Sequence, residues 1–273
     1  MISDEVSRRG LVLLGCGKMG SALLAGWLGQ GLAPAAVTVI EPRPSDWLQG
    51  LAAHGLRLNA PLPAAPAIVL VAVKPQMMAE ALPRLAALGG GGTLFLSIAA
   101  GTGLAYFEKT LGPATPLVRA MPNTPAAIGR GITAICGNAA ANAADLDLAE
   151  TLLRAVGDVV RLTDEAQIDA VTAVSGSGPA YVFHLIETLA AAGAAEGLPA
   201  ALAMRLAKAT VAGAGQLAIE AAEEPAQLRV NVTSPGGTTA AALAVLMDEA
   251  TGFPALLRRA VHAAAERGRE LGK

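Results

Sequence analysis

The run Asn231-Val-Thr-Ser-Pro-Gly-Gly-Thr-Thr239 passes directly into the apolar stretch 240–247, a junction suited to holding a small anion. Gly236 and Gly237 let backbone approach a ligand closely, and Thr238 and Thr239 bring N–H groups and hydroxyls to the start of a predicted helix. There the helix dipole favours a carboxylate or phosphate. At the other end of the chain, Gly15-Cys-Gly-Lys-Met-Gly20 follows the apolar run 11–14 and opens a helical stretch, 21–29. In that context Gly15 makes the tight turn, Gly17 admits a pyrophosphate, and Gly20 brings the helix against the sheet. The chain thus carries a dinucleotide fingerprint and, far from it, a loop for a second, anionic reactant.

The residues after the second predicted strand, Glu41-Pro-Arg43, bear on which dinucleotide is held. A carboxylate here hydrogen-bonds the ribose hydroxyls, whereas a nearby arginine accommodates a 2′-phosphate. The two residues point in opposite directions and leave NADP(H) and NAD(H) both open. Val73-Lys74-Pro75, Ser97-Ile-Ala99 and Arg119-Ala-Met121-Pro-Asn123-Thr-Pro125 follow further strands and are expected to line the nicotinamide. Ser175-Gly176-Ser-Gly-Pro-Ala180 is either a glycine-requiring helix connection or a backbone-rich loop facing the ring. His54, His184 and His262 stand alone and read as surface or core residues, with no Ser/His/Asp constellation and no metal-ligand cluster.

The elements that must position these residues fall into two sets. From 11 to 162, short β-prone runs (11–14, 37–40, 68–73, 93–98, 117–120, 132–136 and 158–162) alternate with helical stretches, including 143–156, which indicates a mostly parallel sheet covered on both faces. Gly89-Gly-Gly-Gly92 precedes a strand and is a turn. After 163 the strands stop. Asp164 with Gln167 suggests a capping box for a helix over 166–174, followed by helices over 179–195, 199–221, 239–247 and 256–271, with Pro199 at a first helical position. The expected organisation is a dinucleotide-binding Rossmann-like domain, 1–163, and an all-helical substrate-binding and dimerisation domain, 164–273. Its few aromatics suggest stability only when packed against another subunit.

Composition excludes other classes. Hydrophobic residues make up 53% of the chain, ample for a core, and the formal net charge of −2 offers nucleic acid no basic field. Two cysteines, Cys16 and Cys136, are too few for a disulfide framework or zinc site. The apolar stretch 181–202 is broken by His184, Glu187 and Glu196, so no membrane span is expected. Ser7-Arg8-Arg9 before Leu11-Val-Leu-Leu-Gly-Cys16 imitates an export signal, but its apolar core ends at Leu14, and a cytoplasmic protein is expected.

Together the segments 15–20, 73–75, 119–125, 175–181, 197–217 and 232–239 resemble the pyrroline-5-carboxylate reductases over nearly the whole chain. The resemblance implies reduction of a cyclic imine to L-proline, the last step of proline biosynthesis, by hydride from NADP(H) or NAD(H). It also implies homodimers intertwined through the C-terminal helices, and rings of such dimers. It assigns the Thr239 hydroxyl as donor to the ring nitrogen, and Ser234, Gly237, Thr238, Thr239, Ser175 and Gly176 to the substrate. Cofactor contacts fall to Gly15, Gly17, Lys18, Met19, Gly20, Glu41, Arg43, Asn59, Val73, Lys74, Pro75, Ala99, Met121 and Asn123, with no metal. The chain departs from the common pattern at Lys18-Met-Gly20, often Asn-Met-Ala, and at the acidic Glu41. The alternatives are another imine reductase, a hydroxyacid dehydrogenase of the same architecture, or a non-catalytic dinucleotide sensor. The stretch 165–195 contains no lysine to serve as the base that alcohol oxidation needs, whereas imine reduction needs none.

Overall fold

The structure, a computed structural model, describes residues 4–272. Its centre is an eight-stranded sheet formed by β1 (Leu11–Leu14), β2 (Val37–Ile40), β3 (Arg57–Leu58), β4 (Ile68–Val71), β5 (Leu94–Ser97), β6 (Leu117–Met121), β7 (Gly131–Gly137) and β8 (Gly157–Arg161), in the order β3-β2-β1-β4-β5-β6-β7-β8. Alternate residues of each strand point to opposite faces. Across β1, β2, β4, β5 and β6 both faces are buried, whereas the edge strands β3 and β8 are largely exposed. Leu11, Leu13, Val37, Val39, Ile68 and Leu70 pack against Trp27 and Leu152. Val12, Val69, Val71 and Phe95 pack against Met78, Leu82 and Phe107 on the other side. This double burial is why β1 and β4 are apolar throughout. Trp27 satisfies its buried indole N–H on the carbonyl of Leu152 at 2.9 Å.

Register decides where the loops emerge. Leu14 pairs with Ile40 on one side and Val71 on the other, Val71 pairs with Ser97, and Ser97 pairs with Arg119. The C-terminal ends of β1, β2, β4, β5 and β6 therefore share one edge. The order reverses beside β1, where an open α/β sheet leaves a crevice for ligands. One pairing is antiparallel, that of β6 with β7. Only the 3-10 turn Thr124–Ile128 lies between them, and a parallel pair needs a crossover of a dozen or more residues.

The described chain forms two compact units, one comprising 4–176 with the final turns from Ala265 onward, the other Ser177–Ala264. The division falls at Gly176/Ser177, whereas the sequence alone suggests 163/164. The intervening residues are folded onto the sheet: Ile168 is buried with Leu104, Phe107 and Cys136, and Glu165 bonds to Leu104 and Arg119. The expected helix over 166–174 is instead a 3-10 turn Glu165–Gln167, a short helix Ile168–Val171 and a π-helical turn Thr172–Gly176. Asp164 caps it by accepting the Ala166 N–H at 2.9 Å, without a reciprocal bond from Gln167.

The second unit is helical: Gly178–Ala195, Ala200–Glu220, Pro225–Asn231, Thr238–Leu246 and the start of Phe253–Leu271. Pro199 occupies the N-cap rather than the first helical position. The helix Pro225–Asn231 carries no strong periodic signal and emerges only in the structure. The unit's own buried apolar side chains are Ala190, Ala203 and Ala207. Three buried methyls contribute about 2–3 kcal/mol, little against an ordering cost of about 1–2 kcal/mol per residue. Phe183, Leu217, Ile219, Val232 and Val245 are all more than half exposed on this unit.

Candidate functional site

The glycine-rich turn is shaped by what a β-carbon would meet. Gly15 has φ 89°, and a β-carbon there would lie 2.9 Å from the Ala72 carbonyl oxygen. One on Gly20 would sit 2.5 Å from the Gly15 oxygen. Gly17 is different: a β-carbon there meets nothing within 4 Å. The first and third glycines serve packing, and the second faces the open space where backbone approaches a pyrophosphate. Gly17 caps the helix Lys18–Gly29 without any side-chain bond, so the helix N-terminal amides stay available to an anion. Lys18 is exposed at the first helical position and Met19 is half-buried beside the core. These residues fit a bound dinucleotide.

The ribose end of that cradle is built around Glu41. Its Oε2 accepts the Cys16 N–H at 2.8 Å, and its Oε1 accepts the Arg43 N–H at 3.0 Å. Asn59 grips the main chain of the same residue: Oδ1 accepts the Glu41 N–H at 2.9 Å and Nδ2 donates to the Glu41 carbonyl at 3.0 Å. The Asn59 amide is thus occupied by Glu41. Cys16 lies inside the turn, its thiol pushed up by burial, an effect that a hydrogen bond to Ser21 opposes and the charge of Glu41 reinforces.

Further along the edge, Lys74 is exposed and caps the helix Pro75–Ala81, with Pro75 in its first turn. A Val73 methyl would lie 2.9 Å from a β-carbon on Gly15, which ties this loop to the glycine-rich turn. Ala99 is buried, its N–H held by the Ser97 hydroxyl at 3.2 Å. Asn123 spends its side chain within the fold, accepting from the Ile132 N–H at 3.0 Å and donating to the Ser175 carbonyl at 3.2 Å. The Ser175 hydroxyl donates to the Val171 carbonyl at 3.0 Å.

Arg119 and Glu165 received no role from the sequence beyond a place in a motif and a helix start. Their guanidinium and carboxylate meet at 2.7 Å, and Glu165 also accepts the Leu104 N–H at 2.9 Å, which locks the chain after β8 to β6. Their spacing in sequence gave no sign of it. Cys136 pairs with Arg119 across the strands, and burial first, then the Glu165 charge, push its thiol up to about 11.

In the helical unit, Ser234-Pro-Gly-Gly237 closes as a turn, with Gly236 at φ 69° and the Gly237 N–H bonded to the Ser234 carbonyl at 3.0 Å. This is the geometry of a type II turn, with proline second and glycine third. The Gly237 amide is consumed by that turn. The donors left open are the N–H groups of Thr238, Thr239 and Ala240, at the start of the helix Thr238–Leu246, which has no side-chain cap. The hydroxyls of Ser234, Thr238 and Thr239 make no hydrogen bond among the described residues, and Thr239 is half-buried. Each unit thus gathers its own set: the dinucleotide residues with Ser175 and Gly176 in one, Ser234 to Thr239 in the other. Among the described residues no helix is long and apolar enough to cross a membrane.

Comparison with known proteins matches residues 165–271 to a family described as pyrroline-5-carboxylate reductase dimerisation, and residues 10–101 to one described as NADP oxidoreductase, coenzyme F420-dependent. The chain is 41% identical to a pyrroline-5-carboxylate reductase of Pseudomonas aeruginosa, over 96% of this chain and 97% of that one. Its fold is similar to that of a pyrroline-5-carboxylate reductase from Coxiella burnetii, with a TM-score of 0.90, 34% identity, and coverage of 97% and 99%. It is also similar to a pyrroline carboxylate reductase from Plasmodium falciparum with NADP bound, with a TM-score of 0.81, 28% identity, and coverage of 98% and 99%.

Proposed function

From the premise that the chain belongs to the pyrroline-5-carboxylate reductase family, we propose how its residues carry out the reduction of 1-pyrroline-5-carboxylate to L-proline. The enzyme is an oxidoreductase that uses NADP(H) or NAD(H), and it pairs as a homodimer through its C-terminal helical region. The bound nicotinamide supplies the hydride. The chain must hold the imine, keep water from competing, and support the ring nitrogen as it gains basicity.

One observation carries the assignment of the substrate loop: three open helix-start amides, at Thr238, Thr239 and Ala240, follow a turn that leaves the Ser234 hydroxyl free. The substrate carboxylate is held by the Thr238 and Thr239 amides and the Ser234 hydroxyl, with Gly237 shaping the turn. The Thr239 hydroxyl donates to the ring nitrogen. The imine takes its proton from solvent to become an electrophilic iminium, so a strong side-chain acid is unnecessary. The nitrogen regains a lone pair to accept the Thr239 hydroxyl as hydride reaches the ring carbon. Gly17 and the amides that follow it receive the pyrophosphate, and Val73, Lys74, Pro75, Ala99, Met121 and Asn123 shape the loops on the nicotinamide side. Residues 164–273 then serve as the substrate-binding and dimerisation domain. A ring of dimers in the cytoplasm is the assembly we assign, to be read from light scattering and cell fractionation.

The test is the loss of nicotinamide absorbance with pyrroline-5-carboxylate, with NADH and NADPH in parallel. Oxidation of either supports the reading. Folded, cofactor-binding protein that oxidises neither would overturn it.

A further inference from the structure

We propose that Glu41 selects the cofactor, favouring an unphosphorylated adenosine ribose so that the enzyme binds NAD(H) in preference to NADP(H), and that Asn59 is the residue that positions it. The inference rests on the reading of the glycine-rich turn as a dinucleotide cradle.

The carboxylate is held at the cradle from both ends. The Gly15 N–H bonds the Ile40 carbonyl at 2.9 Å, which sets residue 41 beside the turn. Each carboxylate oxygen then accepts one backbone N–H, from Cys16 at 2.8 Å and from Arg43 at 3.0 Å. A carboxylate has about four acceptor positions, so both oxygens keep capacity for the hydroxyls of a ribose diol. A 2′-phosphate, by contrast, brings about 1.5–2 negative charges and acceptor oxygens. It offers nothing to these acceptors and is repelled by them.

Withdrawing the side chain would not solve this cheaply. Glu41 would abandon two charge-assisted N–H bonds, a part-buried one to Cys16 inside the turn and an exposed one to Arg43. Asn59 removes the main-chain alternative. It sits in the left-handed region at φ 51°, a conformation asparagine tolerates better than most residues, with both ends of its amide on Glu41. Its own N–H is anchored on the Val39 carbonyl at 2.8 Å.

Arg43 is the opposing candidate, and its placement weakens it. Its backbone N–H serves Glu41, but its guanidinium makes no hydrogen bond or ion pair among the described residues and is exposed. The carboxylate charge is therefore not neutralised by the arginine. A solvated, free cation is screened and must be ordered before it can grip a phosphate, whereas Glu41 is already fixed beside the glycine-rich turn.

The test is calorimetric titration of the purified homodimer with NAD+ and with NADP+, alongside kcat/KM for NADH and NADPH with pyrroline-5-carboxylate. The wild type is expected to bind NAD+ about tenfold more tightly than NADP+, and Glu41→Gln and Glu41→Ser should each move the ratio about tenfold or more towards NADP+. Asn59→Ala should narrow the preference, a change in ratio that a purely structural role would not produce. Equal or tighter binding of NADP+ by the wild type overturns the proposal, whether or not the variants fold. So does an unchanged ratio in both Glu41 variants. If NAD+ is preferred but the imine is not reduced, ribose selection stands and the assigned reaction falls. If folded protein binds neither dinucleotide, the cradle and this proposal fall together.

Discussion

The terminal methyl of Met121 lies 2.6 Å from where a β-carbon on Gly176 would be, so the end of β6 and the end of the π-helical turn are in direct contact because residue 176 has no side chain. Two residues assigned to different ligands, Met121 to the cofactor and Gly176 to the substrate, are thereby mechanically coupled. The clash partner is the flexible end of a methionine, so Gly176→Ala is expected to cost only about 1 kcal/mol of stability as Met121 swings aside. The displaced methionine should raise KM for the cofactor more than it lowers Tm. Paired melting and steady-state measurements check this, and a large loss of Tm with unaltered KM would count against it.

The three glycines of the turn should separate cleanly. Gly20→Ala sets a β-carbon 2.5 Å from the Gly15 oxygen, a backbone atom that cannot step away. Its expected cost is about 1–3 kcal/mol, readable as a lower denaturation midpoint. Gly17→Ala meets open space, so its midpoint should stay near wild type while dinucleotide affinity falls. Equal effects of the two substitutions on stability would show that Gly17 too is a packing glycine.

Thr239→Ala removes the hydroxyl assigned to the ring nitrogen. A lost hydrogen bond in the transition state is worth about 1–3 kcal/mol, or roughly a 10–100-fold fall in kcat/KM. Thr239→Ser retains the hydroxyl and should recover most of the activity. An unchanged kcat/KM for the alanine variant would remove Thr239 from the mechanism.

The thiols predict a pH effect with a definite sign. Cys136 is raised from an ordinary value of 9.0 to about 11 in the folded protein, chiefly by burial. A thiol pushed up on folding contributes stability that is fully present below the unfolded value and is lost as pH rises through the folded one. Denaturation midpoints should therefore fall between pH 9 and about 11. Cys136→Ser, which does not titrate in that range, should flatten this part of the profile. Below pH 9 native protein should react slowly with thiol reagents and denatured protein quickly, since burial rather than chemistry protects Cys16 and Cys136.

What the sequence by itself determined were the features carried by neighbours along the chain. Continuous apolar runs mark β1 and β4, and β-prone, mostly apolar runs mark β2 and β5, because each is buried on both faces. Glycines at 15, 17 and 20 mark the turn, and Ser234-Pro-Gly-Gly237 marks the loop before its helix, since backbone freedom and proline restriction act locally. The resemblance carried by these motifs extended to family, reaction and dimer. Tertiary structure alone decided the contacts between distant residues. Asn59 reaches Glu41 across the strand ends, Glu165 finds Arg119, and Asn123 holds Ser175. It also decided that Gly237 spends its amide on the turn and that β7 runs antiparallel. Side chains carry their hydrogen-bonding capacity in their type, but the partner that uses it is chosen only when the sheet brings separate segments within 3 Å or so of each other.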